Sequence, residues 1–379
     1  MMVVALYALS LLAGALFLHP YASYPVSLRL LPRRPVRLDG ADAPLPSASL
    51  LFSAYNEERA LPAKLDNLAA IKRLHPDLEI LAYSDMSTDG TLALLESRLD
   101  LLTVIPATER AGKATGMRRM VAQAKGEICI FTDANVLLAP DSVAPLLGYF
   151  RDPSIGGVSG TLHYINPEDG ATAQVGGLYW RLEEKIKALE SRCGSMMGAD
   201  GAIFATRRAL YPRVPAHLLD DMIASMSVLL HDKRLISAPD VIAYERNTTD
   251  PVDEFRRKRR IACRSYASYR HLWPQLARHF SLADRYKFVS HKLLRWMGAP
   301  LALLCASSLS AALWLDGQPG LLGALWASAV LVTLGAALKI RPCAMLMEIA
   351  AAIWAAFLGV VDAWRGRTYQ TWAPAKSRD

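Results

Sequence analysis

The 379-residue sequence has only five cysteines. None forms a CxxC pair, and no histidine stands at a ligand-like distance from another ligand. A zinc-binding module and a disulfide framework are thereby excluded, and a reducing compartment is expected. The sequence also has no basic n-region ahead of its first apolar stretch, residues 1–18, and no small-residue cleavage site after it. That stretch therefore reads as a retained anchor and not as a removed signal peptide. No known nucleic-acid-binding module is visible, so a nucleic-acid partner is not expected even though the formal charge is +8.

What the sequence has in excess is apolar character. Its hydrophobic fraction is 52 %, above the roughly 45–50 % of soluble domains, and the excess sits at the two ends. After the first stretch come residues 296–315, 320–338 and 342–364, each about the 20 residues that a ~30 Å hydrocarbon core demands. Arg33, Arg34 and Arg37 follow the N-terminal anchor, Lys287, Lys292 and Arg295 precede the next stretch, and Lys339 and Arg341 fill the last turn. By the positive-inside bias these positions face the cytoplasm. Three full crossings would strand Arg365, Arg367, Lys376 and Arg378 on the far side. One segment is therefore expected to be re-entrant or interfacial, and the last, which contains Glu348 and Asp362, is the candidate.

Residues 45–290 have a globular mixture. Short apolar runs at 50–53, 78–84, 101–105 and 128–132 alternate with amphipathic stretches, a pattern that predicts an α/β domain with a mostly parallel sheet. In such a sheet ligands bind beyond the carboxyl ends of the strands. Polar residues gather at those ends: Tyr55, Asn56 and Glu57 after the first run, Asp85, Ser87 and Asp89 after the second, Asp133 and Asn135 after the fourth. The basic run Arg256, Arg257, Lys258, Arg259 and Arg260 lies between this domain and the C-terminal apolar stretches. There it suits anionic lipid headgroups or a phosphorylated ligand.

The motifs SAYNEE (53–58), SDMSTDGT (84–91), GKATGM (112–117), TDAN (132–135), GADGA (198–202) and the pair Asp220–Asp221 resemble, in order and spacing, the motif series of glycosyltransferase family 2. The resemblance covers about residues 47–275. It implies a GT-A fold, a nucleotide-sugar donor, a divalent Mg2+ or Mn2+ ion and inversion at the anomeric carbon.

By the same resemblance Asp85 accepts a hydrogen bond from the donor base, Ala54, Tyr55, Asn56 and Glu57 wall that pocket, and Lys113 approaches the phosphates. Asp133 and Asn135 would hold the metal that bridges the diphosphate, Asn135 standing where the family usually has a second aspartate. Asp221 would be the catalytic base, with Asp220 beside it raising its pKa by repulsion. Gly198, Asp200 and Gly201 would let the acceptor approach closely. Arg257 and Arg260 resemble the phosphate-facing part of the QxxRW motif of processive members, but Ile261 replaces its tryptophan, which argues against polymer translocation.

The expected plan is an N-terminal anchor (1–32), a cytoplasmic catalytic domain (45–250), basic interfacial helices (251–295), transmembrane or re-entrant helices (296–364) and a basic tail (365–379). The expected activity is metal-dependent transfer of a hexosyl or N-acetylhexosaminyl group from a UDP-sugar to a lipid or lipid-linked acceptor at the inner membrane. A processive polysaccharide synthase and a non-catalytic scaffold for anionic lipids are the alternatives.

Overall fold

The computed structural model describes residues 1–37, 44–166 and 170–370; Lys376 and Arg378 of the basic tail lie outside the described residues. One sheet carries eight strands: β1 (Ala48–Ala54), β2 (Glu79–Ser84), β3 (Thr103–Pro106), β4 (Ile128–Asp133), β5 (Leu137–Leu138), β6 (Ile155–Tyr164), β7 (Ile203–Arg207) and β8 (Arg234–Glu245). Their order is β3-β2-β1-β4-β7-β6-β8-β5. Strand β1 runs parallel to β2 and β4, β2 to β3, and β6 to β8. Strand β7 reverses direction between β4 and β6, and β5 pairs antiparallel with β8.

Every residue of β1 is buried, as a strand covered on both faces requires, and this explains its unbroken apolar run. Helix α1 (Met2–Leu18) is the N-terminal apolar helix, and α2 (Leu61–Leu74) is the first helix against the sheet. Helix α2 buries Leu61, Leu65, Leu68 and Ile71, a stripe at helical spacing. Each such side chain contributes about 1.5–3 kcal/mol of transfer free energy. The other face takes α3 (Lys113–Gln123), α4 (Gly170–Arg192) lies over β8, and α5 (Asp220–Ser227) leads toward α6 (Pro251–His279). Asp250 caps α6 by accepting from the Asp253 amide at 2.8 Å, and Pro251 opens its first turn.

Three described helices are long and apolar enough to cross a membrane: α7 (Gly298–Leu315), α8 (Pro319–Ala337) and α9 (Arg341–Trp364). At the N-terminus, α1 and the short segment after it meet at 65°. Helix α1 packs along α7, whereas α8 is almost wholly exposed. Helix α9 behaves differently, because both of its ends touch helices that pack with the sheet region. Arg341 Nε donates to Gln174 Oε1 of α4 at 3.1 Å, and Asp362 accepts from Arg259 of α6 at 2.6 and 2.8 Å. Gly359 permits the close α6–α9 approach, since a Cβ there would lie 2.3 Å from the Arg259 carbonyl oxygen.

The second core of the molecule joins these layers. It runs from Leu51, Phe131 and Phe204 on the sheet through Tyr269 and Leu276 of α6 to Phe288, Trp296 and Val360. The sheet and helix α9 thus share one packed interior.

Candidate active site

Strand β4 ends at Asp133, beside Ser53 of β1, so its carboxylate stands at the rim of the parallel half of the sheet. Across from it the chain turns at Gly112, whose φ of +82° suits glycine, and Lys113 begins α3. Lys113 Nζ lies 2.5 Å from Asp133 Oδ1 and 3.7 Å from Asp220 Oδ2. Asp220 and Asp221 open α5, where the unpaired amides of a helix start favour negative charge; the Met222 amide donates to Asp221 Oδ1 at 2.6 Å.

Gly201 shows how closely these groups converge. A Cβ on this residue would lie 3.0 Å from Lys113 Nζ, 3.2 Å from Asp221 Oδ2 and 3.4 Å from Asp133 Oδ2. Three groups widely separated in sequence therefore surround one small space that a side chain would fill. Burial, reinforced by the neighbouring charge of Asp220, pushes the Asp221 carboxyl up to about 7. Burial works to lower the Lys113 pKa, but Asp133, Asp220 and Asp221 outweigh it, so the lysine is held firmly protonated.

Among the described residues no three His, Cys, Asp or Glu side chains form a complete metal cage. The donor set still fits a hard divalent cation. All the acidic groups offer oxygen, and they already gather around the positive Lys113 ammonium. A magnesium-like ion commonly takes one or two carboxylates and completes its shell with water and substrate phosphate oxygens. Asp133 and Asn135 could supply such a partial set. The Asn135 amide nitrogen donates to Glu245 Oε1 at 3.1 Å, so the amide oxygen is the atom it would offer a cation.

Asp133, Asn135, Lys113, Glu57, Gly198, Asp200, Gly201, Asp220, Asp221, Arg257 and Arg260 all line one cavity of about 1700 Å³. Asp200 is anchored by Lys187 of α4 at 2.8 Å and accepts from the Ala202 amide, which fixes the 198–202 turn. Gly198 has φ of +104°, and its missing side chain accommodates Met222 Sδ. Arg257 pairs with Glu254 at 3.4 Å.

Asp85, Ala54, Tyr55 and Asn56 do not line this cavity. They form an adjoining knot of loops. Asp85 is buried and accepts from the amides of Ala111 and Gly112 at 2.8 and 3.0 Å, pinning the turn that delivers Lys113. Tyr55 lies beneath the Arg110 guanidinium, 3.4 Å from ring centroid to carbon. Asn56, at φ of +53°, exchanges hydrogen bonds with Thr88 and receives support from Ser87.

Sequence reasoning missed two contributors. Glu245, at the end of β8, orients Asn135 across 110 residues. Buried Lys64 of α2 donates to the Val136 carbonyl at 2.5 Å and stiffens the turn just after Asp133; its burial lowers its pKa to about 7. Glu245 has no local pattern that distinguishes it from ordinary charged residues. Lys64 alone was detectable, as a charge on the apolar stripe of α2.

Residues 49–214 match the family model for glycosyl transferase family 2. An N-acetylglucosaminyltransferase from Rhizobium leguminosarum bv. trifolii is 24 % identical over 133 residues, 34 % of this chain and 73 % of that protein. A beta-monoglucosyldiacylglycerol synthase from Nostoc sp. is 29 % identical over 119 residues, which span 30 % of this chain and a quarter (25 %) of that protein. A mannosyltransferase from Pyrobaculum calidifontis, solved with GDP-Man and Mn2+, superposes with a TM-score of 0.72 over 96 % of this chain and 99 % of that one at 22 % identity. The stretch 49–214, which carries Lys113 and Asp133, is thus a glycosyl transferase family 2 domain by its match, and the architecture shared with the mannosyltransferase shows a GT-A-like fold.

Proposed function

We propose that the protein transfers a hexosyl or N-acetylhexosaminyl group, with inversion, from a nucleotide-sugar donor of the UDP type to a lipid or lipid-linked acceptor at the cytoplasmic face of the inner membrane. The observation that carries this reading is the convergence of Lys113, Asp133 and Asp221 on the space beside Gly201, inside a cavity that continues to Phe17 of α1 and Ile353 of α9. One end can hold a charged diphosphate, and the other has apolar walls.

In this mechanism Asp221, in its carboxylate form, takes the proton of the acceptor hydroxyl. The freed oxygen attacks the anomeric carbon as the bond to the diphosphate oxygen breaks. The raised pKa of Asp221 makes it a stronger base than an ordinary aspartate while leaving it largely ionised above neutrality. Lys113, Arg257 and Arg260 balance the charge of the departing nucleoside diphosphate. A Mg2+ or Mn2+ ion held by Asp133 and Asn135 would supply further charge neutralisation on the diphosphate. Asp85 retains lone-pair capacity for a donor base N–H beside its two amide contacts, and Ala54, Tyr55, Asn56 and Glu57 flank that position. Gly198, Asp200 and Gly201 shape the acceptor side.

The membrane reading follows from α9. A helix whose two ends both contact the catalytic region lies along the interface, so α7 and α8 become an outgoing and a returning span, with α1 packed against α7. Arg365 and Arg367 then return to the side of the catalytic domain, in agreement with the positive-inside bias. In this reading the N-terminal part of α6, beside α9, would lie near anionic headgroups.

The reading is tested by incubating membranes with radiolabelled UDP-sugars and Mn2+ and extracting with organic solvent. Label is expected in the lipid phase with wild type and not with Asp221→Asn. Full activity of that variant would remove Asp221 from the chemistry, and label only in water-soluble polymer would exclude the lipid acceptor.

A further inference from the structure

A second cluster of charged groups lies at the far end of the same cavity, where α1, α4 and the helical turn before α7 meet. His291 is 1 % exposed and is held at both ring nitrogens, by Glu190 Oε1 at 2.7 Å and Glu183 Oε1 at 2.9 Å. Tyr24 also donates to Glu190 Oε1, and the Met197 amide to Glu190 Oε2. Arg295 Nη1 donates to Glu183 Oε2 and to the Tyr179 hydroxyl, and the guanidinium faces the rings of Tyr21 and Tyr179. Lys292 Nζ stands 3.6 Å from Glu183 Oε1.

The hydrogen-bond inventory of this cluster does not balance. Each oxygen of Glu183 and Glu190 already accepts at least one bond. Yet Arg295, whose side chain is only 9 % exposed, has buried Nε and Nη2 atoms with no partner among the described residues. A buried charged donor without an acceptor is costly, and native structures rarely keep one. The two free N–H groups belong to a fork whose geometry matches two oxygens of one oxyanion. Arg295 and Lys292 both line the cavity, and next to them the wall is apolar: Phe17 and Leu18 of α1, Ile349 and Ile353 of α9.

We propose that this end of the cavity binds the phosphate group of a polyprenyl-type lipid acceptor, with Arg295 as its principal ligand, Lys292 as its second cation and the walls of α1 and α9 holding the hydrocarbon chain. This deepens the glycosyltransferase reading and rests on it for the word acceptor; the phosphate-binding chemistry stands on the two N–H-bearing atoms of Arg295, Nε and Nη2, that have no partner among the described residues. Glu183 and His291 are positioning residues that hold Arg295 and Lys292 in place. A bulk phospholipid carries the same phosphate chemistry, so the test separates the two sources.

Full-length protein in neutral detergent is titrated with farnesyl phosphate, farnesol, inorganic phosphate and phosphatidylglycerol, and binding is followed by thermal shift and intrinsic tryptophan fluorescence. Farnesyl phosphate is expected to bind at least about tenfold more tightly than farnesol, inorganic phosphate or phosphatidylglycerol, the scale of a charge-assisted hydrogen bond. Arg295→Gln is expected to remove that advantage and leave the farnesol affinity unchanged. Arg295→Lys keeps a charge opposite Glu183 but has no fork, and is expected to lose most of the advantage with a melting transition near that of wild type; it carries the test should the glutamine variant not fold. Equal affinity for farnesol and farnesyl phosphate, or undiminished binding by the lysine variant, overturns the proposal. Equal or tighter binding of phosphatidylglycerol overturns the acceptor assignment and makes the site one for membrane phospholipid. UDP binding with Mn2+ is measured separately, so failure of the donor reading is told apart from failure of this one.

Discussion

The cavity has carboxylates at both ends and uses them in opposite ways. At the strand tips Asp133, Asp220 and Asp221 outnumber the single Lys113 that touches them, and the surplus is negative. At the membrane end Glu183 and Glu190 are saturated by His291, Arg295 and Tyr24, and the surplus is of unpaired donors. The same residue types thus suit one end to a cation and a proton, and the other to an anion. What decides between them is the balance of donors and acceptors after internal pairing, and not the count of charges.

Four experiments would break or sharpen this contrast. The largest effect is expected from Asp221→Asn, which should lower kcat by about 10²–10⁴-fold with donor KM little changed, as read by transfer of label to lipid. The same variant should melt higher above neutral pH. Because the folded pKa of Asp221 is raised to about 7, ionising it opposes folding, so wild type loses stability as pH climbs from the ordinary aspartate range through about 7. Calorimetry at pH 5 and pH 8 should show the variant's advantage growing toward the higher value.

At the other end Glu183→Gln should act mainly on stability. Removing the carboxylate that faces Arg295, Lys292 and His291 leaves buried cations less compensated, at a cost of about 3–5 kcal/mol, measured as a lowered melting temperature. Gly201→Ala comes next, because its methyl would enter the space shared by Lys113, Asp133 and Asp221. The Mn2+ concentration for half-maximal activity should rise roughly tenfold or more, as for disturbed metal surroundings generally, while the fold is retained. The smallest effect is a shift of profile. The kcat/KM of wild type should rise with pH through about 7, and Asp220→Asn should move that midpoint lower, because one of the charges that raise Asp221 is removed.

The two ends also differ in how far the sequence discloses them. Strands β1, β2 and β4 are legible as apolar runs because they are buried on both faces, and the acids that follow them mark the rim on which ligands assemble. Asp133 could be located by that logic before any coordinates, whereas Asp221 and the glycines of 198–202 were indicated only by the resemblance to glycosyltransferase family 2. The long pair β6 and β8 was not separated from its surroundings, since Gly156, Gly157 and Gly160 interrupt the pattern of one strand and a Pro-Asp step that of the other. Asp85 shows a different limit: its place after β2 was evident, but its commitment to the amides of the Lys113 turn depends on a loop 26 residues away. The membrane end was opaque for a stronger reason. Glu183 and Glu190 sit in a helix whose charges look solvated, and Arg295 looks like a flanking charge that marks sidedness. Only the packing of α4 against the turn at His291 turns them inward. Helix α9 has the length and composition of a span, and its contacts with Gln174 and Arg259 are invisible to any local window.

The shared interior from Phe131 to Val360 bears on how this enzyme can be handled. Truncation before residue 296 would remove Trp296 and Val360 from this interior and uncover Tyr269 and Phe288, and the excised fragment should clump or unravel even though its catalytic loops are intact. Detergent or nanodisc preparations of the whole polypeptide are therefore the natural starting material.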